Sequence, residues 1–152
     1  MISAAQVKEL RDQTGVSMSE CKKALEASGG DLAKALEVLR EQGAVTAGKK
    51  AGRNLGAGRV GSYFHTTGTI GVMVEVACET DFVAKTDDFQ KLANDLAMHI
   101  AGFNPTDVTE LLTQPHLRDA SRTVTEVIND AIQKMGERIE VVRFSRFEVG
   151  QA

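Results

Sequence analysis

Between residues 77 and 88 the chain reads ACETDFVAKTDD, and four carboxylates (Glu79, Asp81, Asp87 and Asp88) crowd into it. Neighbouring carboxylates can divide acid and base duty between them. No nucleophile with an adjacent base accompanies these four. Asp87 and Asp88 also stand where a helical pattern starts, and the positive end of a helix dipole favours acidic residues there. The residues make no case for an enzyme. Phe82 raises a different question. It sits between Asp81 and Val83 where a β-branched run stops, at a tip from which a phenyl ring does not easily reach its own core. Either it folds back beneath the preceding strands, as most aromatics do, or it is presented to something else.

Other groups capable of chemistry lack partners at the right spacing. His65, His99 and His116 show no ligand spacing with one another or with Cys21 and Cys78, so neither a metal knuckle nor a disulfide framework is expected. Surface or half-buried imidazoles and buried thiols are the ordinary reading. Gly43-x4-Gly48-Lys49 falls short of a phosphate-binding loop because Lys50 stands where Ser or Thr would hold magnesium, and it follows a helix rather than a strand. Gly56-x-Gly58-x-x-Gly61 leads into a strand instead of opening a helix, so it fails as a dinucleotide fingerprint. No cofactor is expected. Lys49, Lys50, Arg53 and Arg59 form a basic stretch that could touch nucleic-acid phosphates, and a nucleic-acid-binding protein is the alternative function. A solvated connection explains the stretch better, since little aromatic surface lies near enough to stack.

The elements that must position these residues follow from pattern and composition. With 42% hydrophobic and 26% charged residues and a net charge of −3, the 152-residue chain suits a globular protein with no global pull toward nucleic acid or membrane. Its longest apolar stretch, 70–74, is too short to cross a bilayer, and its first ten residues lack the regions of a signal peptide, so a cytoplasmic protein is expected. Residues 1–43 read as three short helices. Ser3 with Gln6 and Ser17 with Glu20 offer capping boxes, Asp31 is a good N-cap, and Gly43 closes the third helix. Residues 44–58 are basic and glycine-rich and read as a flexible linker, the best domain boundary in the chain. In residues 59–152 the period changes to two, giving a hairpin around the turn HTTGT. An amphipathic helix over Phe89–Ile100 follows, then a short helix opened by Asn104-Pro105, a helical stripe from Val124 to Met135, and a returning strand in RIEVVRFSRFEV. The fold class is α+β: a three-helix bundle, then a three-stranded antiparallel sheet with helices on one face.

Four blocks in order along the chain carry a family resemblance. VKELRDQTGVSMSECKKALEASGGDLAKALEVLREQG, GKKAGR, CETDFVAKTDDF and IQKMGERIEVVRFSRFEVG together resemble bacterial translation elongation factor Ts. The resemblance implies a guanine-nucleotide exchange factor that binds elongation factor Tu loaded with GDP, disturbs its magnesium and phosphate contacts, and promotes GDP release. It implies that the N-terminal bundle, similar to ubiquitin-associated domains, docks on the GTPase through positions matched here by Arg11 and Met18. It also implies that Thr80, Asp81, Phe82 and Val83 form the release element, with Phe82 as a wedge and Asp81 competing for contacts of the nucleotide site. Ser19 stands where many members carry a second methionine after Met18, which weakens that apolar contact. Long members add a second core subdomain and a coiled coil, whereas this chain has room for one subdomain, as in the short forms.

Strand alternation also suggests a homodimer. It places Tyr63, Met73, Val142 and Phe144 on the sheet face away from the helices, where a solvated antiparallel sheet would carry polar residues. The short forms of the family are expected to pair two copies through such a face. A monomer whose Arg143 and Arg146 stems shield the patch is the other possibility.

Overall fold

Three helices open the chain: α1 (Ala4–Thr14), α2 (Met18–Ala27) and α3 (Leu32–Lys50). The Ser3 hydroxyl accepts from the Gln6 amide at 3.2 Å while the Gln6 side chain accepts from the Ser3 amide at 2.9 Å, a reciprocal cap. Ser17 caps α2 through the Glu20 amide at 3.2 Å, but the Glu20 carboxylate turns to Lys23 instead, so only half of the expected second box forms. Val7, Leu10, Val16, Cys21, Leu25 and Leu39 supply a core cluster from all three helices. This is a computed structural model, and it describes residues 1–151.

Helix α3 does not close at Gly43. It runs on to Lys50, so the first part of the stretch expected to be a flexible linker is helical. Gly43 is buried, and a Cβ there would stand 3.2 Å from the Gln133 side-chain oxygen and 3.6 Å from the Asn129 carbonyl. The glycine serves close approach rather than termination, and its helical cost of about 1 kcal/mol is tolerated. Accordingly Met1–Gly52 and Asn129–Gly136 make one compact unit, and Arg53–Ile128 with the chain from Glu137 onward makes the other.

The second unit is built on β1 (Ala57–Phe64), β2 (Ile70–Cys78), α4 (Asp81–Ala84), α5 (Asp87–Phe103), α6 (Val108–Thr113), the short hairpin β3 (Pro115–His116) and β4 (Asp119–Thr123), and β5 (Glu140–Glu148). Helix α7 (Val124–Met135) precedes β5, and its residues are divided between the two units. The sheet order is β1-β2-β5, antiparallel throughout, with β2 central. Helix α5 packs across β1 and β2. Val72, Val74, Val76 and Cys78 are buried, as their alternation predicts.

Register decides the faces. Gly61 pairs with Val74, and a Cβ at Gly61 would run into the carbonyl group of Ala93 on α5. The glycine side of β1 therefore faces the helix, which carries Tyr63, paired with Val72, to the covered side. A β-bulge leaves Val142 without a partner, so Phe144 pairs with Val74 and Arg146 with Val72 on that same side. The expected open face is corrected in two ways. Tyr63 and Phe144 belong to the covered side, and Met73 and Val142 are joined on the open one by Val60, Phe64 and Phe147. Arg146 does not shield the patch either: its guanidinium donates to the Ala101 carbonyl at the end of α5 at 2.9 Å.

His99 and His116 depart from the ordinary reading, since both are buried. Asn104 ends α5 in the left-handed conformation (φ 46°) and Asp107, not Asn104-Pro105, caps α6. The hairpin β3–β4, which no alternation in the sequence announces, then closes over the imidazoles. His99 Nδ1 accepts from the Leu117 amide at 3.1 Å, and its Nε2 lies 2.9 Å from the Gln114 side-chain oxygen, which fixes the neutral tautomer with the proton on Nε2. His116 Nδ1 likewise accepts from the Arg118 amide at 3.1 Å. Phe103 stacks on His99, and nearby Asp95 is bridged by Lys91 and Arg118 at 2.8 and 2.9 Å.

Burial pushes the pKa of both histidines down from the ordinary value of 6.5, and for His116 the neighbouring His99 pushes in the same direction. A lowered folded-state pKa means that the unfolded chain binds more protons, so stability is full above about pH 6.5 and falls as pH drops below it. Calorimetry from pH 7.5 to 5.5 is expected to show Tm declining from near pH 6.5, above the carboxylate range. A flat Tm over that window would show that these imidazoles do not resist protonation.

Candidate partner-binding site

Strand β2 ends at Cys78, and the chain turns through Glu79 and Thr80 into the single turn of α4. The Thr80 hydroxyl caps that turn by accepting from the Val83 amide at 3.4 Å. Thr86 then caps α5 through the Phe89 amide at 3.3 Å and donates its hydroxyl to the Val83 carbonyl at 2.8 Å. Two capped helix starts six residues apart force a tight corner.

The corner sorts the four residues singled out in the sequence. Val83 is buried, 7% exposed, and with Ala84 it anchors the turn. Asp81 and Thr80 are exposed, and Phe82 is 84% exposed. The ring does not fold back beneath the hairpin. A phenylalanine that open on a corner whose own anchors are satisfied is free to enter another surface.

The root of the corner is held from far along the chain. The Glu137 carboxylate accepts from the Glu79 amide at 3.1 Å, the Thr80 amide at 3.0 Å and the Thr80 hydroxyl at 2.6 Å. Glu79 in turn accepts from the Arg138 amide at 2.7 Å and pairs with Arg53 at 3.5 Å. The Cys78 thiol donates to the Thr80 carbonyl at 3.3 Å. Burial, and next the nearby Glu137 charge, push that thiol's pKa up, so it stays protonated and able to donate. Glu137 and Arg138 carry no short-range signal. Their partners lie nearly sixty residues away, and only the strand return of β5 brings them close.

Arg11 lies exposed in the last turn of α1, and Met18, also exposed, opens α2. They belong to the first unit and the corner to the second. Lys49 and Lys50 occupy the last turn of α3, where cations suit the helix dipole. Arg53 is paired with Glu79, and its carbonyl accepts from Arg138 at 2.7 Å. Among the described residues, no group of three His, Cys, Asp or Glu side chains is placed to hold a metal, both cysteines are free and buried, and no helix is long and apolar enough to cross a membrane.

Comparison with known proteins settles the family. The profile of Elongation factor TS matches residues 79–152, from the corner to the end of the chain. Elongation factor Ts of Desulforamulus reducens is 42% identical, with 99% of this chain and 90% of that protein aligned. The chain belongs to the elongation factor Ts family. It is thereby a translation elongation factor. Elongation factor Ts of Moorella thermoacetica and of Thermosipho melanesiensis are each 41% identical over 99% of the chain, covering 97% and 100% of their own lengths. These alignments span 195 or 196 positions, more than the 152 residues here, so the relatives carry residues within the span that this chain lacks.

The exposure of Phe82 has a direct consequence for stability. Phe82→Ala is expected to leave Tm unchanged within the equivalent of about 0.5 kcal/mol, as for other surface substitutions. Val83→Ala, which opens space beneath the corner, is expected to cost about 1–2 kcal/mol. Thermal melts followed by circular dichroism check both, and a Phe82→Ala protein melting many degrees lower would mean that the ring is part of the core.

Proposed function

We propose that this chain is a guanine-nucleotide exchange factor that binds elongation factor Tu loaded with GDP and uses Asp81 and Phe82 to promote GDP release. The observation that carries the reading is the phenyl ring of Phe82, 84% exposed on a corner that is otherwise anchored. Burying that ring in a partner contributes about 2–3 kcal/mol, enough to help hold apart elements that would otherwise close over a nucleotide. Asp81 beside it brings a carboxylate able to compete for donors and for the magnesium that serve the bound phosphates. Thr80 and Val83 complete the element, the first as its cap and the second as its anchor. Binding of the factor and of GDP then oppose each other, and by linkage each weakens the other by the same factor.

The work divides along the chain. Residues 1–43 dock, with Arg11 and Met18 in the contact; residues 44–58, helical at first, join the parts; residues 59–152 carry the release element. The reaction needs no chemistry from this chain and no cofactor, and its setting is the cytoplasm. Stopped-flow release of fluorescent GDP from elongation factor Tu tests the reading. The chain at saturation is expected to speed release, Phe82→Ala or Asp81→Ala to slow it by about tenfold or more, and Arg11→Ala to raise the concentration needed for half-maximal effect. Release no faster with the chain than without it would defeat the reading.

A second reading, homodimerisation, is favoured by the open sheet face. Phe64 and Phe147 are 74% and 73% exposed there, and with Gly71, Met73 and Val149 they line an apolar groove of about 370 Å³. A contiguous apolar surface of this kind is characteristic of an interface, and two copies would cover it symmetrically. Sedimentation equilibrium at micromolar concentration is expected to give twice the 16.3 kDa of one chain, and Phe147→Asp to return it to monomer. A wild-type mass that stays at one chain as concentration rises rejects the dimer.

A further inference from the structure

We propose that Glu137 is the positioning residue of the release element, holding the Asp81–Phe82 corner in place from outside the motif; the inference rests on the exchange reading above. Gly136, at φ 77°, stops α7, and the next residue turns its carboxylate toward the end of β2. All three of its hydrogen bonds go to the root of the corner: the Glu79 amide, the Thr80 amide and the Thr80 hydroxyl. Among the described residues no cation is paired with it, although Arg138 is adjacent. That guanidinium is directed to the Arg53 carbonyl at 2.7 Å and to Glu140 at 2.9 Å. The carboxylate is thus committed to the two residues that lead into Asp81.

The Thr80 hydroxyl links this contact to the ring. Because it donates to Glu137 at 2.6 Å, its lone pairs remain for the Val83 amide, the cap of α4. A helix of one turn has too few internal bonds to hold itself, so its cap and the direction of its entry decide where its side chains point. Hydrogen bonds to a charged acceptor are the strong kind. Remove the carboxylate and two backbone amides and the hydroxyl lose their acceptor together. The Cys78 thiol on the Thr80 carbonyl remains, so the corner loosens rather than unfolds.

Two measurements on the full chain test this. Amide hydrogen exchange needs no partner: in Glu137→Ala the Thr80 and Val83 amides are expected to exchange about tenfold faster or more while Val74 and Val76 in β2 stay protected. In the GDP-release assay, Glu137→Ala is expected to lower the maximal rate by about tenfold, as misplacement of an acting group does, with half-saturation nearly unchanged. Glu137→Gln, whose amide oxygen still accepts from both backbone amides, should restore much of the rate. In a Phe82→Ala background Glu137→Ala should add little, because both act through one ring. Should Glu137→Ala not fold, Glu137→Asp, which keeps the charge but draws the carboxylate back by one methylene, must show the same loosening at Thr80 and Val83. Unchanged exchange at Thr80 and Val83, a wild-type rate in Glu137→Ala, or losses that simply add with Phe82→Ala would each overturn the proposal. A wild-type chain that fails to release GDP overturns the exchange reading instead, and the amide exchange still decides what Glu137 holds.

Discussion

The close approach of α5 to β1 at Gly61 is the constraint on which the rest of the core unit depends. Because no side chain can stand between Gly61 and the Ala93 carbonyl, the glycine side of β1 is the covered side. Pairing then sets β2 so that Val72, Val74 and Val76 are buried and Met73 is not. Slipping β1 by one residue would turn Phe64 into the helix and Tyr63 out, with every other pair inverted. The end of β2, and with it the position of the corner that carries Phe82, follows from this register.

That corner combines two opposite demands. Its root is fully bonded: Thr80 uses its amide, hydroxyl and carbonyl, and Val83 is buried beneath it. Its tip is open, with an aromatic ring and a carboxylate side by side in solvent. An exposed phenylalanine forgoes burial within its own fold, and that burial remains available to a partner surface. A rigid root keeps the ordering cost of such a contact low, since little conformational freedom is left to lose on association. The buried anchor of the corner and its exposed ring are therefore different residues only one position apart.

The sheet faces and the buried histidines follow the same logic of pairing. One side of the sheet is covered by α5, and the other leaves Phe64, Met73, Val142 and Phe147 exposed in a row that water does not favour. Beyond α5, the imidazoles of His99 and His116 are buried because backbone amides of the following loop satisfy their Nδ1 atoms. Neutral imidazole is what this pocket accepts, and a second proton on either ring would face an amide that already points at it.

What the sequence determined by itself is whatever depends on neighbours in the chain. Capping residues marked the starts of α1, α2 and α3, the carboxylates Asp87 and Asp88 marked the start of α5, period-two alternation marked β1, β2 and β5, and the α+β class followed from their order. The run from Glu79 to Lys85 stood out for its one misplaced aromatic, and the four blocks of resemblance named the family that the comparisons then established. What depended on distant residues was decided only in three dimensions. Gly43 read as a stop, yet it lies inside a helix because Asn129 and Gln133 come close to it. Tyr63 and Phe144 exchanged faces because Gly61 admits α5 and because a bulge at Val142 shifts the parity of β5. Val83 could not be told from Phe82 by type, since both are apolar; burial of one and exposure of the other follow from the corner set by Thr80 and Thr86. Glu137 had no local sign at all, because a hydrogen bond spanning nearly sixty residues leaves no periodicity behind, and only the antiparallel return of β5 beside β2 brings its carboxylate to Thr80.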